Sequence, residues 1–312
     1  MNIVRATKIW LGISSVMVVL SLVCIFTFRY HLGIDFAGGT ALEIQVGSPD
    51  TYTQTLPAET TVSEYLVTSY KATTSQDAVA QGAGASDRFI LRSKAITNNQ
   101  KNAWITRAKA VLPNLAELQF TSVSPTVGAD VVRKAILAVI VAMLAILLYL
   151  AYAFRKVPKP TNSWRFGATA VAALLAHDVI ILLGVYSLLS HFFGAEIDSM
   201  FITALLTLLG FSVHDTIVTY DRLRENLIKR GAVNFEQTVN DSIVETITRS
   251  INTTFTLVLV LLAMTLMGGR TTFFFTLSLL VGVIVGTYSS IFVASPLLLL
   301  WQKAVDRQKP AQ

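Results

Sequence analysis

The sequence contains few charged residues and almost no cysteine. Charged residues make up 14% of the 312 positions and apolar residues 53%, whereas soluble domains carry about 25% charged residues. The mean hydropathy is +0.58. These values predict an integral membrane protein. Cys24 is the single cysteine, so an internal disulfide is excluded, and its position in an apolar run predicts a packing role.

Six apolar runs are long enough to cross a membrane, since a helix needs about 20 such residues to span the hydrocarbon core. They lie at about 9–28, 134–154, 166–190, 199–220, 248–267 and 271–300. No small-residue cleavage site follows the first run, which predicts a retained anchor and not a signal peptide. We therefore expect a polytopic α-helical membrane protein with six transmembrane helices.

The positions of basic residues predict the orientation of these helices. The net charge of +6 gives little support for nucleic-acid binding, because much of the basic excess flanks the apolar runs. The flanking residues are Arg5, Lys8, Arg155, Lys156, Lys159, Arg165, Arg222, Arg224, Lys229, Arg230, Lys303, Arg307 and Lys309. The loop 191–198 has only acidic charges. The positive-inside rule then predicts that both termini are cytoplasmic and that 29–132 lies outside.

The chain is predicted to divide into four parts. These are a first transmembrane helix (1–28), an extracytoplasmic domain (29–132), a five-helix bundle (133–302) and a cytoplasmic tail (303–312). In the outer domain, the residue pattern predicts strands at 40–46, 87–93 and 115–123, helices at 61–70 and 98–112, and a mobile loop at 71–87. This order predicts an α+β layer with helices on one face, serving contact and not chemistry.

Three ionisable residues fall inside or at the ends of predicted spans. Asp178 lies near the middle of the third, and Asp215 lies about 9 Å inside the cytoplasmic end of the fourth. Arg249 opens the fifth at a comparable depth. Because an isolated charge in hydrocarbon is expensive, these residues are expected to pair with each other or to serve a function. The alternatives are structural hydrogen bonding for the acids and a headgroup anchor for Arg249.

Helical spacing groups polar side chains into two stripes. Ser212, Asp215 and Thr219 share one face of the fourth span. The fifth span has Arg249, Thr253 and Thr256 on one face, with Asn252 beside them. We expect the stripes to face each other or a wet cavity. His177 and His214 are predicted to be packed and neutral, since no other ligands stand at zinc spacing.

Small residues mark two further places. Gly282 and Gly286 repeat at a step of four in the last span, which favours close helix packing, either within the chain or between subunits. In "DFAGGT", Asp35, Gly38 and Gly39 follow the first span. This stretch lacks the Lys-Ser/Thr ending of a phosphate loop, so it predicts a backbone turn.

Several stretches together resemble the SecF family, bacterial membrane subunits of protein export that work with SecD and the Sec translocon. They are "GIDFAGGT" (33–40), "TVGAD" (126–130), "LAHDVIILLG" (175–184), "HDTIVTYDRLREN" (214–226) and "RSINTT" (249–254). The resemblance implies six spans, an extracytoplasmic ferredoxin-like head and kinship with the RND transporter superfamily. It also implies that the proton gradient drives late steps of export across the bacterial inner membrane.

The resemblance also implies roles for individual residues. It puts the key intramembrane acid at Asp215, its arginine partner at Arg249 and the third-span acid at Asp178. His214 stands where members often have asparagine, so its share in proton transfer stays open. Ser212, Thr219, Asn252 and Thr253 are predicted to support this relay, while Asp35, Gly38, Gly39 and Gly128 belong to structural motifs.

The implied partners are a SecD-like subunit, the Sec translocon channel, exported unfolded polypeptides and membrane lipids. No cofactor is expected, and the choice between protons and sodium ions stays open. The competing hypotheses are an RND-type proton-driven exporter of a small solute or lipid, and a membrane scaffold without a proton role. An enzyme is the least supported hypothesis, because neither aqueous side has a nucleophile–base pair or a metal-ligand set.

Overall fold

The chain divides into two units in the computed structural model, which describes residues 3–47, 56, 61–82, 87–158, 160–231 and 234–308. The membrane unit comprises Met1–His31, Ile136–Ala195 and Met200–Gln312, and the head unit comprises Leu32–Ala135 and Glu196–Ser199. Lys159 and Lys309, which contributed to the predicted orientation, lie outside the described residues, as do residues 83–86 of the predicted loop.

Six helices in the described residues are long and apolar enough to cross a membrane. In chain order these spans are Val4–Thr27, Pro125–Ala153, Ser163–Phe193, Ser199–Arg230, Phe235–Met267 and Thr272–Arg307. The prediction of a polytopic helical membrane protein with six spans is confirmed. Several helices run beyond the apolar runs, because charged residues continue the same helix; the fourth span extends to Arg230 and not only to residue 220.

The third and sixth spans each contain a π-helical segment, in which the turn is wider than in an α-helix. The third consists of an α-helix (Ser163–Ala173), a π-helix (Leu174–Val179) and an α-helix (Ile180–Phe193). In the sixth, Arg270–Ser289 is α-helical, Ser290–Ala294 is π-helical and Ser295–Gln308 is α-helical. Such segments are rare and occur frequently at functional sites.

The third, fourth and sixth spans form the interior of the membrane unit. Within this chain, 56%, 50% and 61% of their most apolar windows are buried, compared with 11%, 11% and 17% for the first, second and fifth. A Cβ atom on Gly286 would lie 2.8 Å from the Cβ atom of Ser212, and one on Gly282 would lie 2.9 Å from Leu208. The small residues of the sixth span therefore serve packing within the chain.

The head unit is an antiparallel sheet covered by helices. Short strands β1 (His31–Leu32) and β6 (Glu196–Ile197) form a two-stranded sheet, and a larger sheet has the order β3-β4-β2-β5. Its strands are β2 (Gly39–Gln45), β3 (Ala78–Gly82), β4 (Arg88–Ser93) and β5 (Ala116–Val123). Two helices, Val62–Thr74 and Asn98–Lys109, supply Leu66, Tyr70 and Trp104 to a buried core.

The head differs from the sequence prediction in one strand. Residues 71–87 were predicted to form a mobile loop, but the helix continues to Thr74 and β3 occupies Ala78–Gly82. The loop prediction is wrong there because alanine and glycine carry little strand propensity. Pairing with β4 supplies the backbone hydrogen bonds that hold this strand at the edge of the sheet.

Candidate functional site

Asp215 is buried in the fourth span among hydroxyl side chains of the neighbouring helices. Only 3% of the residue is exposed, and Oδ2 has no hydrogen-bond partner in the described residues. Ser250 of the fifth span and Thr287 of the sixth interact with the carboxylate, and His214 and Arg249 lie within electrostatic range of it. A buried carboxylate oxygen without a partner is costly, and binding a proton would relieve that cost.

Arg249 lies near this carboxylate but forms no ion pair with it. The residue is exposed, and no carboxylate in the described part of the chain comes within 4.0 Å of its guanidinium. Asn252 and Thr253 are also exposed. Their predicted roles in a proton relay stay predictions.

The two predicted polar stripes do not face each other within this chain, because Arg249, Thr253 and Thr256 are exposed; the alternative, that they face a wet cavity, stays a prediction. The fifth span instead presents Ser242, Thr246 and Ser250, which are buried, toward the fourth. Thr246 and Thr219 have their hydroxyl oxygens 3.3 Å apart, and Ser242 accepts a hydrogen bond of 3.0 Å from Asn226. Small hydroxyl residues let two helices approach closely. Arg249 is adjacent to Ser250 in sequence, which rotates it by about 100° away from the contact.

Asp178 is completely enclosed and fully hydrogen-bonded. Its Oδ2 accepts hydrogen bonds from Ser212 (2.6 Å) and Ser289 (2.9 Å), and its Oδ1 lies 2.9 Å from Nδ1 of His177. The residue is 0% exposed. One carboxylate thus joins the third, fourth and sixth spans, so Asp178 has a structural role whether or not it also carries protons.

The repeated His-Asp pair takes two different arrangements. In the third span, His177 is buried and contacts Asp178, whereas in the fourth span His214 is exposed while Asp215 is buried. The π-helical segment explains the difference, because its wider turn changes which neighbouring positions face the interior. The similar sequences therefore do not indicate two equivalent sites.

Sequence reasoning missed the hydroxyl groups that the sixth span brings to the site. Ser289 and Ser290 both bond to the fourth span: Ser289 lies near Ser212, and Ser290 donates to the carbonyl oxygen of Ser212 at 2.9 Å. Thr216 lies 2.9 Å from Ser290. The only available signal was the run of small residues in this span, which indicated close packing but not the partners.

The glycine motif is organised around the start of the second span. A Cβ atom on Gly38, which has φ +72°, would lie 2.7 Å from Pro125, and one on Gly128 would lie 2.6 Å from the carbonyl oxygen of Phe36. Gly39 has φ +148° and is similarly enclosed. The backbone-turn prediction agrees with this close approach of "DFAGG" to "TVGAD".

Asp35 of the same motif stabilises the start of a different helix. Its Oδ2 accepts a hydrogen bond of 3.2 Å from the backbone N–H of Ser199, the first residue of the fourth-span helix. A carboxylate at this end satisfies an unpaired N–H group and interacts favourably with the helix dipole. Nearby, Arg92 forms an ion pair with Glu196.

The arrangement is suited to binding and releasing protons. It combines two buried carboxylates, one with all its contacts satisfied and one with an unpartnered oxygen, within a set of hydroxyl groups. In the part of the chain that the structure describes, no group of three His, Cys, Asp or Glu side chains is placed to hold a metal ion.

Two family descriptions match the sequence. Residues 104–304 match the C-terminal region of the protein export membrane proteins SecD and SecF. Residues 25–50 match the SecD/SecF GG motif. The match over residues 25–50 contains Asp35, Gly38 and Gly39. The match over residues 104–304 contains Asp178, Asp215 and Arg249, together with the second to fifth spans and the sixth span as far as residue 304.

Similar proteins include protein translocase subunit SecF of Thermobaculum terrenum, which is 40% identical over 96% of this chain and 94% of its own. The SecF subunit of Anaerolinea thermophila is 37% identical over 97% of this chain and 94% of its own. The crystal structure of SecDF, a translocon-associated membrane protein from Thermus thermophilus, has a TM-score of 0.76 at 29% identity over 97% of this chain. This chain spans 39% of the length of that SecDF chain. These matches establish that the chain belongs to the SecD/SecF family of protein-export membrane proteins.

Proposed function

We propose that this chain is an auxiliary subunit of the Sec protein translocase that uses the proton-motive force to promote late steps of export. Family membership supports the role in protein export. The observation that carries the proton role is Asp215: a carboxylate buried between three helices, with one oxygen that has no hydrogen-bond partner among the residues the structure describes. Such a group can accept a proton without first breaking a hydrogen bond at that oxygen.

The proposed switch depends on how the ionised and protonated forms of Asp215 interact with Arg249. The ionised carboxylate attracts the guanidinium, and a direct contact would add charge-assisted hydrogen bonds. Protonation removes the charge that attracts Arg249, so the fourth and fifth spans can repack. Moving one charge through 100 mV supplies about 2.3 kcal/mol. This energy is enough to change the populations of two packings that are nearly equal in free energy.

A SecD-like subunit is the proposed partner of the membrane unit. The fifth span exposes Arg249, Asn252, Thr253 and Thr256 in the isolated chain, and such polar groups are expensive in contact with lipid. A second helical bundle would cover them and would contribute its own acid to Arg249. The match to a SecDF chain of which this chain spans 39% supports such an arrangement.

The head is proposed to be a ferredoxin-like domain on the outer side of the bacterial inner membrane, with both termini in the cytoplasm. The succession β2, helix, β3, β4, helix, β5 and the sheet order β3-β4-β2-β5 support the fold. The basic loops support the orientation. In this position the head would bind and release the emerging unfolded polypeptide near the Sec channel, while lipids surround the spans.

The test is export of a reporter protein in cells in which the chromosomal copy is replaced by Asp215→Asn or Arg249→Met. We expect export to lose its dependence on the proton gradient in both variants, with normal membrane levels. Asp77→Asn is the matched control, because Asp77 is an exposed carboxylate paired with Lys71. Normal gradient-dependent export in the Asp215→Asn strain would refute the switch, and dependence on a sodium gradient instead would show that the driving ion is sodium.

A further inference from the structure

Among the described residues, one ring nitrogen of His177 has a hydrogen-bond partner and the other has none. The residue is 2% exposed, and its Nδ1 lies 2.9 Å from Oδ1 of Asp178. Its Nε2 is buried and has no hydrogen-bond partner in the described residues. The ring stacks on Tyr288 of the sixth span, with centroids 5.6 Å apart and planes inclined by 21°. Apolar packing alone does not account for a buried, unpartnered imidazole nitrogen.

The hydrogen bonds around Asp178 indicate which tautomer of His177 accompanies an ionised carboxylate. Its Oδ2 already accepts from the hydroxyls of Ser212 and Ser289, and this double donation favours the ionised carboxylate. Oδ1 then accepts from the Nδ1–H group of His177. A neutral imidazole with hydrogen on Nδ1 carries its lone pair on Nε2. When the carboxylate is ionised, the buried pair holds a net charge of −1 together with an available proton acceptor.

No cation compensates this charge in the described part of the chain, where the single ion-pair partner of Asp178 is His177. The fourth span contributes the hydroxyl of Ser212, and the sixth contributes the hydroxyl of Ser289 and the titratable phenol of Tyr288. The phenol donates to the carbonyl oxygen of Trp10 in the first span at 3.0 Å. The pair thus lies among neutral groups.

We infer that the His177–Asp178 pair is a second proton-binding site, with Nε2 of His177 as the atom that accepts the proton. The lone pair of Nε2 forms the new N–H bond, the Nδ1–H group keeps its bond to Asp178, and the net charge of the pair changes from −1 to 0. This inference rests on the proposed proton-driven function. It assigns the second site to His177 and not to His214.

Proton uptake at this atom would also act on the helix. The new N–H donor has no acceptor in the present conformation, and a buried donor without an acceptor destabilises the arrangement that holds it. His177 lies within the π-helical segment Leu174–Val179, where the regular hydrogen-bond pattern is already displaced. A conformation that supplies an acceptor is thereby favoured, and this links protonation to rearrangement of the third span.

Two variants separate proton binding from packing. In His177→Asn, the side-chain amide can still donate to Asp178 but has no ring nitrogen to protonate, whereas His177→Ala loses both. If His177 only positions Asp178, the asparagine variant keeps gradient-dependent export and the alanine variant loses it. If Nε2 binds the proton, the asparagine variant loses gradient-dependent export as well. His191→Asn is the matched control, because His191 belongs to the same span and is exposed.

The experiment uses the full chain assembled with its partner. Gradient-dependent export in cells is expected to fall at least tenfold in His177→Asn and to stay normal in His191→Asn. Wild-type export with no dependence on the proton gradient would refute the proposed function itself. Gradient-dependent wild-type export that is unchanged in His177→Asn would refute only the present inference.

A spectroscopic measurement reports the protonation directly. The complex, with ¹⁵N-labelled histidine, is placed in phosphatidylethanolamine–phosphatidylglycerol bilayers and examined by solid-state NMR between about pH 5 and pH 9. This chain contributes four histidines, and the His177 signals are those missing from the spectrum of the His177→Asn complex. We expect the Nε2 signal to move from the unprotonated to the protonated range as the pH falls. An Nε2 signal that is unchanged over this range would overturn the assignment.

Discussion

Replacing Ser212 or Ser289 with alanine should destabilise the membrane unit through Asp178. Each hydroxyl donates to the same carboxylate oxygen, at 2.6 Å and 2.9 Å. Hydrogen bonds to charged groups contribute about 1.5–3 kcal/mol in soluble proteins, whereas side-chain bonds between membrane helices average about 0.6 and reach about 1.7 kcal/mol. The short bonds to a carboxylate belong at the upper end of the membrane range. We therefore expect the free energy of unfolding of each variant to fall by about 1.5 kcal/mol, roughly a tenfold change in the unfolding equilibrium constant.

The double variant, with both serines replaced, should lose more unfolding free energy than the sum of the two single losses. The excess should be about 0.5 kcal/mol or more, because Oδ2 of Asp178 then has neither of its two hydroxyl donors. Unfolding is followed by tryptophan fluorescence as SDS is added to the purified chain in a mild detergent. Ser278→Ala is the control, since within the described part of the chain this hydroxyl donates only to the carbonyl oxygen of Phe274 in its own helix. Losses in the two single variants no larger than in the control would refute the conclusion that these bonds hold an ionised Asp178.

Two further substitutions test close packing and helix capping. Gly286→Val should destabilise the chain by about 1–3 kcal/mol in the same SDS titration, because its Cβ atom would lie 2.8 Å from Ser212, whereas Gly12→Val, with nothing within 4 Å, should be neutral. Asp35→Ala should cost about 1 kcal/mol by removing its hydrogen bond to the N–H group of Ser199, and Asp35→Ser should restore part of this loss. Faster amide hydrogen exchange at Ser199 and Met200 in the alanine variant than in the serine variant would confirm the cap, and equal exchange in the two variants would contradict it.

The sequence was sufficient to predict the six spans, because a membrane permits few alternatives to apolar helices. It also predicted that Asp178 and Asp215 either pair with other residues or serve a function, since burying a carboxylate in a membrane helix costs free energy. Most head elements followed from their residue patterns. The edge strand β3 did not, because it depends on pairing with β4, which comes later in the chain.

The side-chain contacts of the site could not be predicted from the sequence. Whether Ser250 or Arg249 faces the fourth span is decided by a rotation of one residue, and only the packing of the two helices fixes it. The π-helical segments add a second obstacle, because a constant period of 3.6 residues no longer predicts faces across them. The pairing of Ser289 with Asp178 joins residues 111 positions apart.

The π-helical segment Leu174–Val179 contributes to the direction in which the two α-helical parts of the third span face. One π-helical turn accommodates an additional residue relative to an α-helix. Deleting a single residue there would restore regular α-helical geometry in the segment while leaving Ile180–Phe193 with its present facing. A deletion in the regular helix Ser163–Ala173 would instead turn everything that precedes it by about 100°. A one-residue deletion in this turn should therefore preserve the orientation of the rest of the helix while removing the widened geometry that holds His177 and Asp178.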